Sequence, residues 1–258
     1  METEIKKVDV LYVVGNGSVA NNNELRYSLR CLDRHGKNVG RVIISGDIPD
    51  FVGGEAVTVP CHDIEVSGKH WNMLHKIEQG IRGAGLSERL LFSCDDHFIT
   101  RDFDMCKWPQ RMRAETIYTA AEWQDRNGKP PGKYQRAVAA TGEILRDSRL
   151  PTVNVVWHGD MWISPKYLDN VLELARANRL KSIYGFEPIL MFDAFYRRDN
   201  PDAELVRLPS DVKAKQFGDC MSYSSAYGYF STADRAWMNG KLLKWFKKNY
   251  PEKSRWEK

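Results

Sequence analysis

Apolar residues fall into two rhythms along this chain. Short continuous runs occur at Val8–Val14, Arg41–Ser45, Ala56–Val59 and Leu90–Ser93, as expected of strands covered on both faces. Between them, apolar residues recur three and four positions apart. Glu24–Arg34 sets Leu25, Leu29 and Leu32 on one face, with Asn23 placed to cap its start and Gly36 to end it. Ser67–Arg82 does the same with Trp71, Leu74, Ile77 and Ile81. The polar loop Gly15–Asn22 and the stop Gly46-Asp47-Ile48-Pro49 punctuate the pattern. Strands alternating with helices as far as Ser93 predict an α/β fold with a mostly parallel, doubly wound sheet. In such sheets ligands bind beyond the carboxyl ends of the strands.

Beyond Ser93 the rhythm is less regular. Strands are expected at Thr116–Ala120 and Val153–Trp157. Helices are expected over Tyr134–Arg146, over Lys166–Ala177 with Pro165 in its first turn, and over Thr232–Tyr250 with Trp237, Leu242, Trp245 and Phe246. Gly128-Lys129-Pro130-Pro131-Gly132-Lys133 breaks the chain. No repeat or low-complexity tract divides it further. The reading is one domain over 1–258, with halves of about 1–125 and about 126–258.

Composition narrows the class. A chain of 258 residues, 42% hydrophobic and 28% charged, can bury a full core as an ordinary globular protein. No segment approaches the roughly 18 consecutive apolar residues of a membrane span. Met-Glu-Thr-Glu-Ile-Lys-Lys at the start lacks the apolar centre of a signal peptide. A cytoplasmic location is expected. Cys31, Cys61, Cys94, Cys106 and Cys220 are odd in number and none has C-x-x-C spacing, which argues against a disulfide framework or a structural zinc. The net charge of +4 permits an anionic partner without requiring one. The lysines at 241, 244, 247 and 248, and the basic stretch Arg126–Arg136 with Lys129 and Lys133, read as solvated faces.

The candidate chemistry concentrates in Leu90-Leu91-Phe92-Ser93-Cys94-Asp95-Asp96-His97-Phe98-Ile99. An apolar strand ends in two adjacent carboxylates and an imidazole. Acidic groups are costly to bury unless paired or bound to a cation. Asp95 and Asp96 can hold a hard divalent metal, Mn²⁺ or Mg²⁺, which in turn can hold a diphosphate; the alternative is a plain turn. His158-Gly159-Asp160 also follows an expected strand. His158 reads as a metal ligand or general base, and Asp160 as its orienting partner or as a group acting on an acceptor hydroxyl, against a hydrogen-bonded turn. Glu187 is a further carboxylate in an apolar setting, Tyr184-Gly185-Phe186-Glu187-Pro188. His70 and His75, five apart on a helix, read as structural.

Gly15-x-Gly17-x-x-Ala20 could be a dinucleotide fingerprint, with Asp47 on a ribose. However, Asn21-Asn22-Asn23 delays the helix that should meet the pyrophosphate. Among Trp157, Trp162, Tyr184, Phe186, Tyr223, Tyr227, Tyr229 and Phe230, most should be core, and some could form a stacking wall for a sugar or base.

Val8-Asp9-Val10-Leu11-Tyr12 through Asn16-Gly17-Ser18, then Asn23-Glu24-Leu25-Arg26-Tyr27-Ser28-Leu29-Arg30, resembles the first region of the Stealth proteins, sugar-1-phosphate transferases of capsule synthesis and their animal relatives. The similarity runs on to Asp47-Ile48-Pro49. Asp95-Asp96 resembles the second region and His158 with the helix after it the third. Val19-Ala20-Asn21 stands where the family has an acidic residue and proline, and Cys94 where it has asparagine. The resemblance implies a GT-A-like fold, with a nucleotide-sugar-binding first half and an acceptor-side second half. It implies that Asp95, Asp96 and the metal hold the donor's diphosphate, that Gly15, Asn16 and Gly17 line the nucleotide, and that Glu24 and Arg26 sit near the donor. Glycosyl transfer from a nucleotide-sugar to a glycan or a hydroxylated (hydroxymethylated) DNA base is the expected reaction. Sugar-1-phosphate transfer, a nicotinamide-dependent oxidoreductase and a non-catalytic nucleotide- or nucleic-acid-binding domain are the alternatives.

Overall fold

The computed structural model describes residues 6–64, 68–182, 185–208 and 211–258. Met1–Ile5, Ser67 (the expected start of the second helix) and the aromatic candidate Tyr184 lie outside the described residues.

Five strands form the central sheet: β1 (Val8–Val14), β2 (Val39–Gly46), β3 (Val57–Pro60), β4 (Leu90–Ser93) and β6 (Met161–Ile163). Their order is β3-β2-β1-β4-β6, and all are parallel except β6, which runs antiparallel to β4. The mixed α/β class and the mostly parallel sheet are as expected. Three further strands, β5 (His97–Ile99), β7 (Lys213–Ala214) and β8 (Tyr229–Thr232), make a small second sheet with β8 in the middle. Helix α1 (Asn23–His35) and helix α2 (Lys69–Gly83) cover opposite faces of β1. Successive side chains of a strand point opposite ways. Tyr12 reaches Ser28 of α1, with its hydroxyl 3.1 Å from the serine oxygen, while a Cβ added at Gly80 of α2 would lie 2.8 Å from Leu11.

The remaining helices are α3 (Ala120–Asn127), α4 (Lys133–Asp147), α5 (Leu168–Ala177), α6 (Pro188–Asp199), α7 (Phe217–Tyr227) and α8 (Lys241–Asn249). No helix among the described residues is long and apolar enough to cross a membrane. All five cysteines are free.

Several expectations are corrected. Thr116–Ala120 is not a strand, because Thr119 caps α3 in a reciprocal box with Glu122. Val153–Trp157 is extended but pairs only through a bridge between Asn154 and Ala114. The strand of this region comes later, after Asp160. Thr232–Tyr250 is not one helix, since Thr232 ends β8 and Gly240, at φ 67°, resets the backbone before α8. Asn23 does not cap α1. Asn22 occupies that position in a left-handed conformation, and the Asn23 side chain donates to the Ala20 carbonyl at 2.6 Å.

Gly46 ends β2 at φ 127°, and a Cβ there would lie 2.0 Å from the Val14 carbonyl oxygen. That oxygen accepts from the Asp47 amide and the Lys76 ammonium. Gly46→Ala must therefore displace β1 or β2. It is expected to destabilise the protein by about 2–4 kcal/mol in urea unfolding, whereas Gly17→Ala, where a Cβ meets nothing within 4 Å, should leave the midpoint within about 0.5 kcal/mol.

Candidate functional site

All four residues of β4 are buried. The apolar run then stops, and Asp95-Asp96 form a tight turn that hands the chain from the central sheet to β5 of the small one. The His97 amide donates to the Cys94 carbonyl at 3.2 Å, and the Thr232 amide donates to the Asp96 carbonyl at 3.1 Å. Both carboxylates are half-buried at the carboxyl edge of the sheet. Tyr12 of β1 is in register with Ser93, so the exposed loop with Gly15, Asn16 and Gly17 leaves the same edge. Ser18 shapes that loop. Its hydroxyl accepts from the Ala20 and Asn22 amides at 3.2 and 2.8 Å and donates to Glu24 at 2.7 Å. Asn21 and Asn22 take left-handed φ values of 54° and 57°, which asparagine tolerates better than most residues.

Burial pushes the Asp95 carboxyl up to about 7; the charges of Asp96 and Glu24 add to this, and Lys69 opposes it. Asp96 is raised as well, chiefly by burial, against Lys213, His158 and His97. The Lys213 ammonium lies 3.7 Å from Asp96. Asp95 and Asp96 are thus both raised by burial, with Asp96 and Glu24 adding their charge at Asp95.

His158 comes to this edge because β6 is antiparallel and begins beside the end of β4, Met161 pairing with Phe92. Its Nδ1 lies 2.9 Å from Asp211, which Arg113 also approaches at 3.5 Å. Burial alone would raise the Asp211 carboxyl, but His158 and Arg113 outweigh it and hold it low. Asp211, missed in the sequence, therefore fills the orienting role expected of Asp160. Asp160 is 2% exposed and is hydrogen-bonded to His97 Nδ1 at 3.0 Å. Its backbone carbonyl accepts from the Trp108 indole.

Glu187 precedes α6 and is also buried, with His70 Nδ1 3.2 Å from its carboxylate. Its amide donates to Thr141 Oγ1 at 2.8 Å. Tyr134 stacks on His70 at 5.9 Å; burial, and then Glu187, push its phenol well above the usual range. Arg26 points away from the turn, with its guanidinium 4.3 Å over Phe51 and 3.7 Å from Glu257. The structure thus brings together Glu24, Asp95, Asp96 and His158, and leaves Arg26 apart.

Lys76 was also missed. It is 2% exposed, and its ammonium contacts Val14 O, Asp47 and Asp63 at 3.0, 3.0 and 2.7 Å. Burial would lower its pKa; the hydrogen bonds to Asp63 and Asp47 override this and raise it. The signal was present in α2 as a second stripe, Asn72, Lys76 and Gly80, spaced four apart and all buried. Asp47, the ribose candidate, is held by Lys76 and, at 2.8 Å, by His62.

Among the described residues no group of three or more His, Cys, Asp or Glu side chains is arranged to hold a metal. Asp95 and Asp96 nonetheless fit one, because two hard oxygen donors with unrelieved repulsion suit an ion completed by water and phosphate oxygens. His158 has Nε2 to offer, Nδ1 being committed to Asp211.

No protein-family model matches the chain, so the Stealth resemblance rests on the residues quoted for it. No curated protein matches it. Among solved structures, it is similar to the apo-form glycosyltransferase GlyE of Streptococcus pneumoniae TIGR4, with 14% identity and a TM-score of 0.38 over 85% of this chain and 49% of that one. The chain spans about half the length of that enzyme.

The raised Asp95 has a direct consequence. Burial pushes its carboxyl up to about 7 in the folded protein, against about 3.9 for an ordinary aspartate. Without a cation, the folded state therefore loses stability as pH rises from about 4 through 7. Asp95→Asn should melt about 2–4 °C above wild type at pH 8 in EDTA, with the gap closing by pH 4. A variant that melts below wild type at every pH would mean that the carboxylate is already neutralised by its neighbours.

Proposed function

We propose that this chain is a metal-dependent glycosyltransferase, which moves a sugar from a nucleotide-sugar to a hydroxyl acceptor. The observation that carries this reading is the Asp95-Asp96 turn. Two half-buried carboxylates, pressed by Glu24, stand at the carboxyl edge of a mostly parallel sheet, beside an exposed loop rich in backbone amides. Asp95 and Asp96 would hold Mn²⁺ or Mg²⁺ against the donor's diphosphate, with Asp96 the stronger candidate. The ion would neutralise charge on the departing diphosphate. Gly15, Asn16 and Gly17 would line the nucleotide, and Glu24 supports the loop through Ser18.

His158 is the group best placed to meet the acceptor or the metal. Asp211 fixes its ring through Nδ1, leaving Nε2 to accept a proton from a hydroxyl. Lys213, close to Asp96, would balance charge when no cation is bound. Asp160 and Glu187 belong to this reading as buried supports, paired with His97 and His70. The acceptor would be a glycan or a hydroxylated DNA base. For the second, α8 offers Lys241, Lys244, Lys247 and Lys248, all exposed.

Sugar-1-phosphate transfer, implied by the Stealth resemblance, would use the same ion and carboxylates; the product, sugar or sugar phosphate on the acceptor, separates the two. The dinucleotide reading loses support, because α1 starts at Asn23, well after Gly17, and Asp47 is engaged by Lys76 and His62.

The test is a thermal-shift series with nucleoside diphosphates and nucleotide-sugars, each with Mn²⁺, Mg²⁺ or EDTA. One nucleotide should raise the melting temperature in the presence of a divalent ion, through a stabilisation of about 2.7 kcal/mol at a hundredfold excess over its Kd, and Asp96→Ala should abolish the shift. A shift with NAD alone, indifferent to EDTA, would sink the proposal in favour of an oxidoreductase. Once the donor is known, Asp96→Ala should lower turnover at least about a thousandfold, and His158→Ala should lower it about a hundredfold or more.

A further inference from the structure

At the opposite end of β4 from Asp95 lies a cleft of about 360 Å³. Ligand sites of small molecules start at about this size. Its walls include Arg89, Trp108, Pro109, Trp162 and Tyr196. Arg89 immediately precedes β4. Its guanidinium lies between two rings, 4.7 Å from Trp162 and 4.3 Å from Tyr196. With two rings this close, its N–H groups are what it has left to offer a ligand.

Nothing among the described residues answers those N–H groups. Arg89 has no ion pair and no hydrogen bond there. Asp193, the nearest carboxylate acting on it, is already engaged by Arg197 Nε at 2.8 Å and Gln110 Nε2 at 3.0 Å. Arg197 is itself 5% exposed. Its Nη1 donates to the carbonyl of Ala203, a cleft residue, at 3.0 Å, and its Nη2 finds no partner. The carboxylate of Asp193 is thus committed to Arg197 behind the cleft, and Arg89 is left without one. Lys107 and Glu204, both exposed, also line the cleft, Lys107 lying 3.6 Å from Asp104. An unpaired guanidinium drawn partly out of water is costly, and the edge of Arg matches a carboxylate or phosphate in bidentate fashion. The remaining lining is mixed: Pro109 and Val206, 37% exposed, stand beside Cys106 and Gln110, and the buried Trp108 backs them. Pro109 and Val206 give the carbon face of a small ring an apolar place to lie.

We propose that this cleft is a second ligand site, which takes a monosaccharide-sized ring carrying a carboxylate or phosphate, clamped by Arg89. The site needs neither a metal nor the Asp95-Asp96 turn, so it stands whether or not the chain is a glycosyltransferase. Its position, remote from the turn, suits holding an acidic sugar unit of a longer chain or a soluble sugar acid.

The probes are glucuronate, glucose 1-phosphate, inorganic phosphate and glucose, each added in EDTA to the intact protein and read by tryptophan fluorescence and saturation-transfer NMR. At least one of the two anionic sugars should bind at least about tenfold more tightly than glucose, and which one binds names the anion. Arg89→Met and Arg89→Lys should each weaken it about tenfold or more, with Arg89→Lys keeping a charge in place should Arg89→Met fail to fold. Asp96→Asn should bind it as wild type does. Absence of binding by both anionic sugars, equal binding of glucose, inorganic phosphate binding as tightly as glucose 1-phosphate, or undiminished binding in Arg89→Lys would each overturn the proposal.

Discussion

A buried hydrogen bond, His97 Nδ1 to Asp160, stands at the junction between the small sheet and the central one. The imidazole is 2% exposed and so is the carboxylate, and neither can be left without its partner at that depth without a large penalty. His97 opens β5 and so belongs to the small sheet. Asp160 immediately precedes β6 and so belongs to the central one. Around them close the rings of Trp108, Trp157 and Tyr229, with Arg111 laid over all three at 4.8–5.0 Å. Tyr12 and Ser28 complete the lock from the other side, since the Ser28 hydroxyl donates to the His97 carbonyl at 2.6 Å. Asp95 and Asp96 hang directly from this assembly, so the orientation of the acidic turn follows from groups that never reach solvent.

The same contact explains why residue type alone misled about roles. Asp160 and His158 are two residues apart and looked like partners. The turn at Gly159 nonetheless separates them: Asp160 is bonded inward to His97, and His158 is left partly exposed, where Asp211 reaches it. Asp211 carries no local signal; it is brought in only by the β7–β8 pairing. Glu187 was visible as a carboxylate among apolar neighbours, but its partner His70 lies on a helix from the first half of the sequence.

The first half of the fold was legible because its elements carry strong periods. β1, β2 and β4 are continuous apolar runs, and α1 and α2 each present a clear stripe. The later elements lack that contrast. α6 buries nine of its twelve residues, so its apolar positions show no one-sided spacing and no helix was expected there. α7 runs Phe-Gly-Asp-Cys-Met-Ser-Tyr-Ser-Ser-Ala-Tyr with only Cys220 buried, too polar and glycine-bearing to announce itself. In Thr232–Tyr250 the apolar spacing was real, but Trp237 packs from a 3-10 turn before Gly240 and not from the helix after it. Helical period survived a break that backbone chirality imposes.

The place of β6 in the sheet also sets how the chain can fail. β4 is the strand Leu-Leu-Phe-Ser, flanked by β1 on one side and by β6 on the other. Its second neighbour is supplied by Met161–Ile163, far along the sequence, after α3 and α4. A folding intermediate in which the parallel strands have assembled but β6 has not docked displays an apolar edge with unpaired amides and carbonyls, the kind of edge that recruits a second molecule. Slow docking of this one antiparallel strand would thus feed aggregation, and chaperone demand would follow the kinetics of that closure more closely than the stability of the finished protein.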